Sequence, residues 1–166
     1  MINLSKPIGS LLSFFIVGCS STSVQDYQAT KPHFEFEKFF SGPLIAKGVL
    51  QKRGGLVTRK FEIKMRGEWQ GNEGSLYEDF IYDDGEKYNR VLKIKRQSDG
   101  HYSGTAHDII GEGLGRSEGF ALQWKYTMAV PVDGKIYHIN FDDWMYMVDD
   151  KTLINRSHMS NFGCEL

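Results

Sequence analysis

The chain has 166 residues, of which 40% are hydrophobic, 25% charged and 13% aromatic, and this apolar fraction suits one compact domain. Lysine and arginine number 20 against 21 acidic residues, which gives a net charge of -1. A protein that neutralises nucleic-acid phosphates needs a basic excess, so no nucleic acid is expected as a partner.

The N-terminal residues have the organisation of a secretory signal peptide. Lys6 precedes an apolar run, Ile8 to Val17, that only glycine and serine interrupt. A transmembrane helix needs about 20 apolar residues, so this run is too short for a permanent span. The sequence therefore predicts three segments, which are a signal peptide at residues 1–18, a small and polar tether at residues 19–30, and a folded domain at residues 31–166.

The cysteine that follows the apolar run is the expected lipidation site. Ile16-Val17-Gly18-Cys19 resembles a bacterial lipobox, in which the thiol is acylated and the leader is cut just before the cysteine. The alternative is an ordinary signal peptide with a cysteine near its end. Each buried acyl methylene contributes about 0.8 kcal/mol, so two or three chains hold a protein on a bilayer. Ser20 follows the cysteine where an aspartate would indicate retention, which by resemblance to enterobacterial sorting predicts the outer membrane.

From Leu44 onward the chain has the pattern of consecutive β-hairpins. Apolar and polar residues alternate, and turns that contain glycine interrupt the alternation at regular intervals. A Gly-Gly turn at residues 54–55 places Ala46 opposite Ile63. Eight or nine antiparallel strands of this kind predict an all-β fold that closes into a barrel of about eight strands, with a two-sheet sandwich as the alternative. Such a barrel encloses side chains or one small ligand.

Two loops set the register of a charged cluster. Asp83-Asp84-Gly85 and Ser98-Asp99-Gly100 each suit a three-residue loop with glycine in the left-handed position. These loops place Glu78, Arg90 and Asp108 side by side on the inward face. A guanidinium group binds carboxylate or phosphate in a bidentate manner, so the cluster could orient the polar head of a ligand. The alternative is a satisfied internal salt bridge, because two carboxylates suffice to neutralise one arginine.

Further candidates for ligand contact lie on the inward face or near it. They are Trp69, Trp124, Tyr126, Asp143 and Trp144. The alternative for the aromatic residues is a plain role in the core. Asp142 and Asp143 are adjacent on a strand and point to opposite faces, so they cannot chelate one ion together, and a turn or cap role is expected for the pair.

The sequence offers no motif for metal, cofactor or nucleophilic chemistry. The five histidines, at positions 33, 101, 107, 138 and 158, lack metal-ligand spacing. A nucleophile elbow, a phosphate-binding loop and a zinc motif are all missing from the sequence. No cofactor, metal ligand or catalytic residue is therefore predicted.

Five short blocks occur in the order seen in one family of bacterial lipoproteins. The blocks are Phe40-Ser41-Gly42-Pro43-Leu44, Gly67-Glu68-Trp69-Gln70-Gly71, Tyr82-Asp83-Asp84-Gly85, Gly104-Thr105-Ala106-His107-Asp108 and Phe141-Asp142-Asp143-Trp144-Met145. Through them the chain resembles the DUF3833 family over about residues 33–163. The resemblance implies a lipocalin-like, antiparallel up-and-down β-barrel and a lipid context, without an established activity.

Three classes of function fit these observations. The favoured class is an outer-membrane lipoprotein whose barrel binds a fatty acid, a lipid or another apolar ligand. The second is an envelope interaction or assembly protein with a filled barrel core, for which no particular protein partner is predicted. The third is an enzyme that acts on lipid. A retained lipid would distinguish the first class from the second, and an Asp108→Asn variant that folds but loses a phenotype would indicate the third.

Overall fold

The structure is a computed structural model that describes residues 22–98, 100–132, 134–161 and 163–165. The predicted signal peptide and the predicted lipidation site Cys19 lie outside the described residues, and so do the loop residues Asp99 and Asp133. In the part of the chain that is described, no helix is long and apolar enough to cross a membrane.

Among the described residues, two short helices precede ten strands. The helices are a 3-10 helix, Val24–Tyr27, and α1, Phe36–Phe39. The strands are β1 (Gly42–Gln51), β2 (Val57–Gln70), β3 (Glu73–Tyr82), β4 (Lys87–Ser98), β5 (His101–Thr105), β6 (Gly113–Glu118), β7 (Ala121–Val132), β8 (Lys135–Met147), β9 (Leu153–Asn161) and β10 (Cys164–Glu165). Each strand pairs with the next in chain order.

The strands form a single curled, antiparallel sheet. The predicted all-β, lipocalin-like up-and-down fold is confirmed, and the two-sheet sandwich is wrong because one sheet contains all ten strands of the described residues. Across the described ranges no pairing joins β1 to β9 or β10, so the sheet has the form of a half-barrel. It therefore has an inner face and an outer face, on which the residues of each strand alternate.

The hairpin loops set the strand register that the sequence predicts. Gly85 has a φ of 87° and completes a three-residue loop in which the Tyr82 amide donates to the Glu86 carbonyl. Glu78 consequently pairs with Arg90, as predicted. The left-handed φ at Gly85 suits glycine because a side chain would be strained there.

The first hairpin differs from its prediction at the turn only. The Lys52 amide donates to the Leu56 carbonyl, so the loop contains residues 53–55 instead of the two glycines alone. A bulge between Leu50 and Gln51 compensates for the additional loop residue. Further along the strands, Ala46 faces Ile63 and Gly48 faces Phe61, which is the predicted register.

An aromatic segment before β1 fills one end of the inner face. Residues 34–40, called here the N-terminal plug, include buried Phe34, Phe36 and Phe40. The Phe36 ring lies 5.8 Å from the ring of Trp69 and 5.7 Å from that of Trp124. Large aromatic groups contribute most to a core of this kind, so the plug and the strands around it form the stable base of the domain.

Residues 23–30, which belong to the segment predicted as a tether, pack on the sheet. Val24 is buried against Ala121 and Trp144 on the outer face. The Tyr27 ring lies 5.2 Å from the ring of Phe120, and the Tyr27 backbone carbonyl accepts a hydrogen bond from the Thr30 hydroxyl. Isolated apolar residues in a polar segment gave no periodic signal, although they make tertiary contacts.

Candidate functional site

The inner face is densely packed at the N-terminal plug and more open toward the other end. Leu76, Leu92 and Trp124 are buried near the plug. Further along the strands, four half-buried residues form an aromatic rim, which consists of Phe61, Phe80, Tyr82 and Tyr88. Neighbouring rings in the rim are separated by 5.8 to 6.4 Å. The rim therefore presents apolar ring surface that the described part of the fold leaves partly exposed.

A buried charged cluster lies between the rim and the plug. Arg90 Nε donates to Glu78 Oε2 at 2.6 Å, and Arg90 Nη1 lies 3.6 Å from Asp108 Oδ2. The side chains of Glu78 and Asp108 are 7% and 6% exposed, whereas that of Arg90 is 12% exposed. The structure thus brings the three residues together on the inner face, as predicted. Of the two loops, only that at residues 83–85 has the predicted length, because Ser98 pairs with His101 and a shift of register between Arg96 and Ser98 restores the predicted alignment of β4 and β5.

Electrostatics hold this cluster in its charged form. Burial acts to lower the pKa of Arg90, but the charge of Glu78 and its hydrogen bond outweigh that effect and keep the pKa above its usual value. The guanidinium is therefore a permanent cation. Burying a guanidinium cation without a partner costs several kcal/mol of solvation free energy, and the charges of the two acidic neighbours offset that cost.

Tyr88 and His107 extend the cluster and were not predicted as site residues. Tyr88 Oη donates to Asp108 Oδ2 at 2.7 Å, and His107 Nε2 lies 3.1 Å from the same phenol oxygen. Since the phenol has one proton, the imidazole nitrogen must be the donor in the second contact. Burial, together with the hydrogen bond to Asp108, raises the pKa of Tyr88. Strand alternation could have identified Tyr88, because it lies two residues before Arg90 on the same face.

A second polar group lies on the facing strands β7, β8 and β9. Asp143 accepts hydrogen bonds from Tyr126 and from Ser157, a residue that the sequence analysis missed. Burial raises the pKa of Asp143 to about 6, against the opposing effect of both hydrogen bonds. Because this value lies above the usual one of 3.8, the stability linked to Asp143 is present below pH 3.8 and is lost as the pH rises through about 6.

One oxygen of the charged cluster has no protein partner. Asp108 Oδ1 is buried and accepts no hydrogen bond in the described structure, whereas Oδ2 of the same carboxylate contacts both Tyr88 and Arg90. Buried polar atoms in proteins are almost always paired, so an unpaired carboxylate oxygen requires an explanation. A hydrogen-bond donor supplied by a ligand or by an internal water would satisfy it.

Two of the predicted aromatic residues belong to the base of the inner face. Trp124 is 3% exposed and packs across Gly104, Gly113 and Gly115, whose missing side chains leave room for its indole. Trp69 Nε1 donates to the Phe40 carbonyl in the N-terminal plug at 3.0 Å. Both residues therefore border the candidate site from the plug end, and their contacts are those of core residues.

Trp144 does not join the inward group. It pairs with Gln123, whereas its neighbour Asp143 pairs with Trp124, so Trp144 is on the outer face. The structure therefore does not place it with the other predicted contact residues, and it packs under Val24 instead. The turn or cap role expected for the acidic pair is also wrong, because both residues lie within β8. Asp142 points outward and accepts a hydrogen bond from Gln123 at 2.7 Å.

Other surfaces of the described residues present fewer groups that could bind a ligand or a metal ion. No group of three or more histidine, cysteine, aspartate or glutamate side chains there is placed to hold a metal ion. The surface has two open depressions. Lys125 and Asp142 line the one of about 770 Å³, and Ser75 and Lys93 line the one of about 730 Å³. These residues point away from the charged cluster, which leaves the inner face as the best-supported site.

Comparisons with known proteins identify a family and leave the activity open. The chain matches the model of a family described as a protein of unknown function, DUF3833, over residues 13–166. No curated protein and no solved structure matches it. Because the match covers nearly the whole chain and contains the rim and the cluster, the chain belongs to the DUF3833 family.

Proposed function

We propose that this protein is an envelope lipoprotein whose inner face binds one lipid or other apolar molecule that has a polar end. The observation that carries the proposal is the combination of a partly exposed aromatic rim with a buried polar cluster directly below it. Burial of the exposed ring surface by a ligand chain is favourable by about 25 cal/mol per Å². The polar end would then meet the cluster, where Asp108 Oδ1 needs a donor.

The geometry of the rim supports an elongated apolar occupant. Phe80 lies between the cluster and the edge of the rim, since its ring is 5.7 Å from the Arg90 guanidinium and 6.3 Å from the ring of Phe61. On the facing strands, Tyr126 stacks on Phe141 at 4.9 Å. A chain between these two aromatic walls would exchange water for ring contacts on both sides, as is typical of small-molecule sites.

A bulky residue on the inner face should block this site. We expect Ala46→Trp to weaken binding of the neutral dye N-phenyl-1-naphthylamine by about tenfold or more, because the indole occupies the space beside Ile63. The control is Lys47→Trp, which places the same indole on the outer face of β1, and it should change the affinity by less than about twofold. Fluorescence titration measures both. An absence of saturable binding to the unaltered protein, or equal losses in the two variants, would contradict the proposal.

The lipid anchor is a separate part of the proposal and rests on the lipobox-like sequence. We expect Cys19→Ser to move the protein from the membrane to the soluble fraction, because no acyl chain is then attached. The matched control is Cys164→Ser, which removes the other cysteine and should leave the protein on the membrane. Sucrose-gradient fractionation should place the unaltered protein with outer-membrane markers. Palmitate labelling that persists without Cys19, or migration with inner-membrane markers, would count against the anchor or its sorting.

An interaction protein is the second candidate function, and one outer surface favours it. Leu114 is 62% exposed and Ile110 is 43% exposed, and both line the depression of about 770 Å³. Exposed apolar side chains of this size that share one depression are typical of protein contacts. This candidate would gain if the dye titration showed that the inner face is filled.

A further inference from the structure

We infer that the polar end of the ligand donates hydrogen bonds and carries no negative charge, as a hydroxyl or ammonium group does and a carboxylate or phosphate does not. This inference rests on the proposed function and specifies its ligand class. A free fatty acid, which the sequence analysis includes among the candidate ligands, is thereby disfavoured.

The positive charge of the cluster is already balanced by two carboxylates. Arg90 uses Nε for Glu78 and faces Asp108 with Nη1, and Nη1 also lies 3.8 Å from the Met128 sulfur. An anionic head group would have to displace one of these carboxylates or add a third negative charge beside them. In a poorly solvated site either change is unfavourable, because like charges repel strongly there.

The surroundings of the cluster reinforce this negative balance. Asp143, on the facing strands, adds a third carboxyl group that interacts electrostatically with Arg90. At the edge of the aromatic rim, Arg59 contacts both Asp84 and Glu86 at 2.6 Å. Each of these two arginines therefore already has two acidic partners that balance its charge, although Arg59 Nε is left as a buried donor without a partner in the described structure.

The unpaired oxygen indicates what the site lacks. Asp108 Oδ1 is a buried acceptor without a donor, and its side chain is only 6% exposed. Tyr88 has given its single proton to Oδ2, so it cannot also serve Oδ1. A ligand hydroxyl or ammonium group would supply the missing hydrogen-bond donor. A ligand carboxylate would instead bring its two acceptor oxygens against Asp108 Oδ1, which is itself an acceptor. The ligand class therefore follows from the hydrogen-bond inventory as well as from the charge.

The test compares head groups on one chain length. Dodecanol, dodecylammonium and dodecanoate each compete with N-phenyl-1-naphthylamine for the full mature protein at about pH 8, where dodecanoate is charged. We expect dodecanol and dodecylammonium to bind at least about tenfold more tightly than dodecanoate. Dodecanoate that binds as tightly as dodecanol overturns the inference while leaving the proposed function intact. If neither the dye nor any of the three compounds binds, both are overturned.

A charge-neutral variant assigns the selectivity to the cluster. Asp108→Asn should reduce the preference for dodecanol over dodecanoate to less than about threefold, because it removes a negative charge at an almost unchanged shape. Asp79→Asn is the matched control, since Asp79 is exposed on β3 beside Asn89, and it should keep the full preference. A preference that both variants retain overturns the role of Asp108. The comparison of head groups on the unaltered protein remains decisive if Asp108→Asn does not fold.

Discussion

Arg90→Leu should lower the free energy of unfolding by about 3 to 5 kcal/mol, the usual range when a buried ion pair loses one partner. The substitution leaves Glu78 and Asp108 buried without their shared cation. The total stability of a domain of this size is about 5 to 15 kcal/mol, so the loss should be obvious in a thermal or urea melt.

A matched control lies on the same strand. Lys87 is exposed at the start of β4, and Lys87→Leu should change stability by no more than about 0.5 kcal/mol. Melting curves of the two variants that coincide would show that Arg90 is not part of a buried network. The cluster would then make no net contribution to stability.

Gly67→Ala should destabilise the protein by about 3 kcal/mol, a large effect for one methyl group. Gly67 is buried on β2, and a Cβ there would overlap the Phe40 carbonyl oxygen, which is a backbone atom that no rotamer change can move. The same carbonyl accepts the hydrogen bond from Trp69. Relief of the overlap therefore requires the N-terminal plug to move away from the sheet and weakens this bond.

Gly54→Ala is the control for this steric effect. Gly54 lies in the first hairpin loop, where an added Cβ meets nothing within 4 Å. The free energy of unfolding of the Gly54→Ala variant should therefore change by no more than about 0.5 kcal/mol. Tryptophan fluorescence followed in urea reports on both variants, because Trp69 is at the affected contact. If Gly67→Ala unfolds at the same urea concentration as Gly54→Ala, the Phe40 carbonyl of the plug does not contact Gly67 of β2.

These contacts give the sequence blocks of the family a physical meaning. Gly67 and Trp69 both meet the Phe40 carbonyl, so two blocks that are distant in the chain form one contact. Gly104 leaves room for Trp124, while Asp108 of the same block joins the charged cluster. The blocks therefore combine the packing of the base with the polar groups of the inner face.

The charged cluster could be predicted from sequence because its geometry depends on local rules. Alternation decides which residues of a strand face inward, and a three-residue loop decides which residues lie opposite one another. Glu78 and Arg90 follow from a single loop, and Asp108 continues the same register past the end of β5.

The remaining features depend on contacts that have no local signal. The N-terminal plug and the 3-10 helix before it come from segments without periodicity, and their places are set by aromatic packing against distant strands. Trp144 illustrates the limit, since its aromatic character suggested the inner face while alternation assigned it to the outer one. Ser157 could not be related to Asp143 until the register of β9 was known.

The central claim is that the inner face holds an apolar molecule, and native mass spectrometry of the protein purified from the cells that produce it tests this most directly. The account predicts a complex that is heavier than the covalent chain by one small molecule, which organic extraction removes and which the Ala46→Trp variant lacks. A single mass for the covalent chain alone, found equally in the unaltered protein and in the variant, would contradict it.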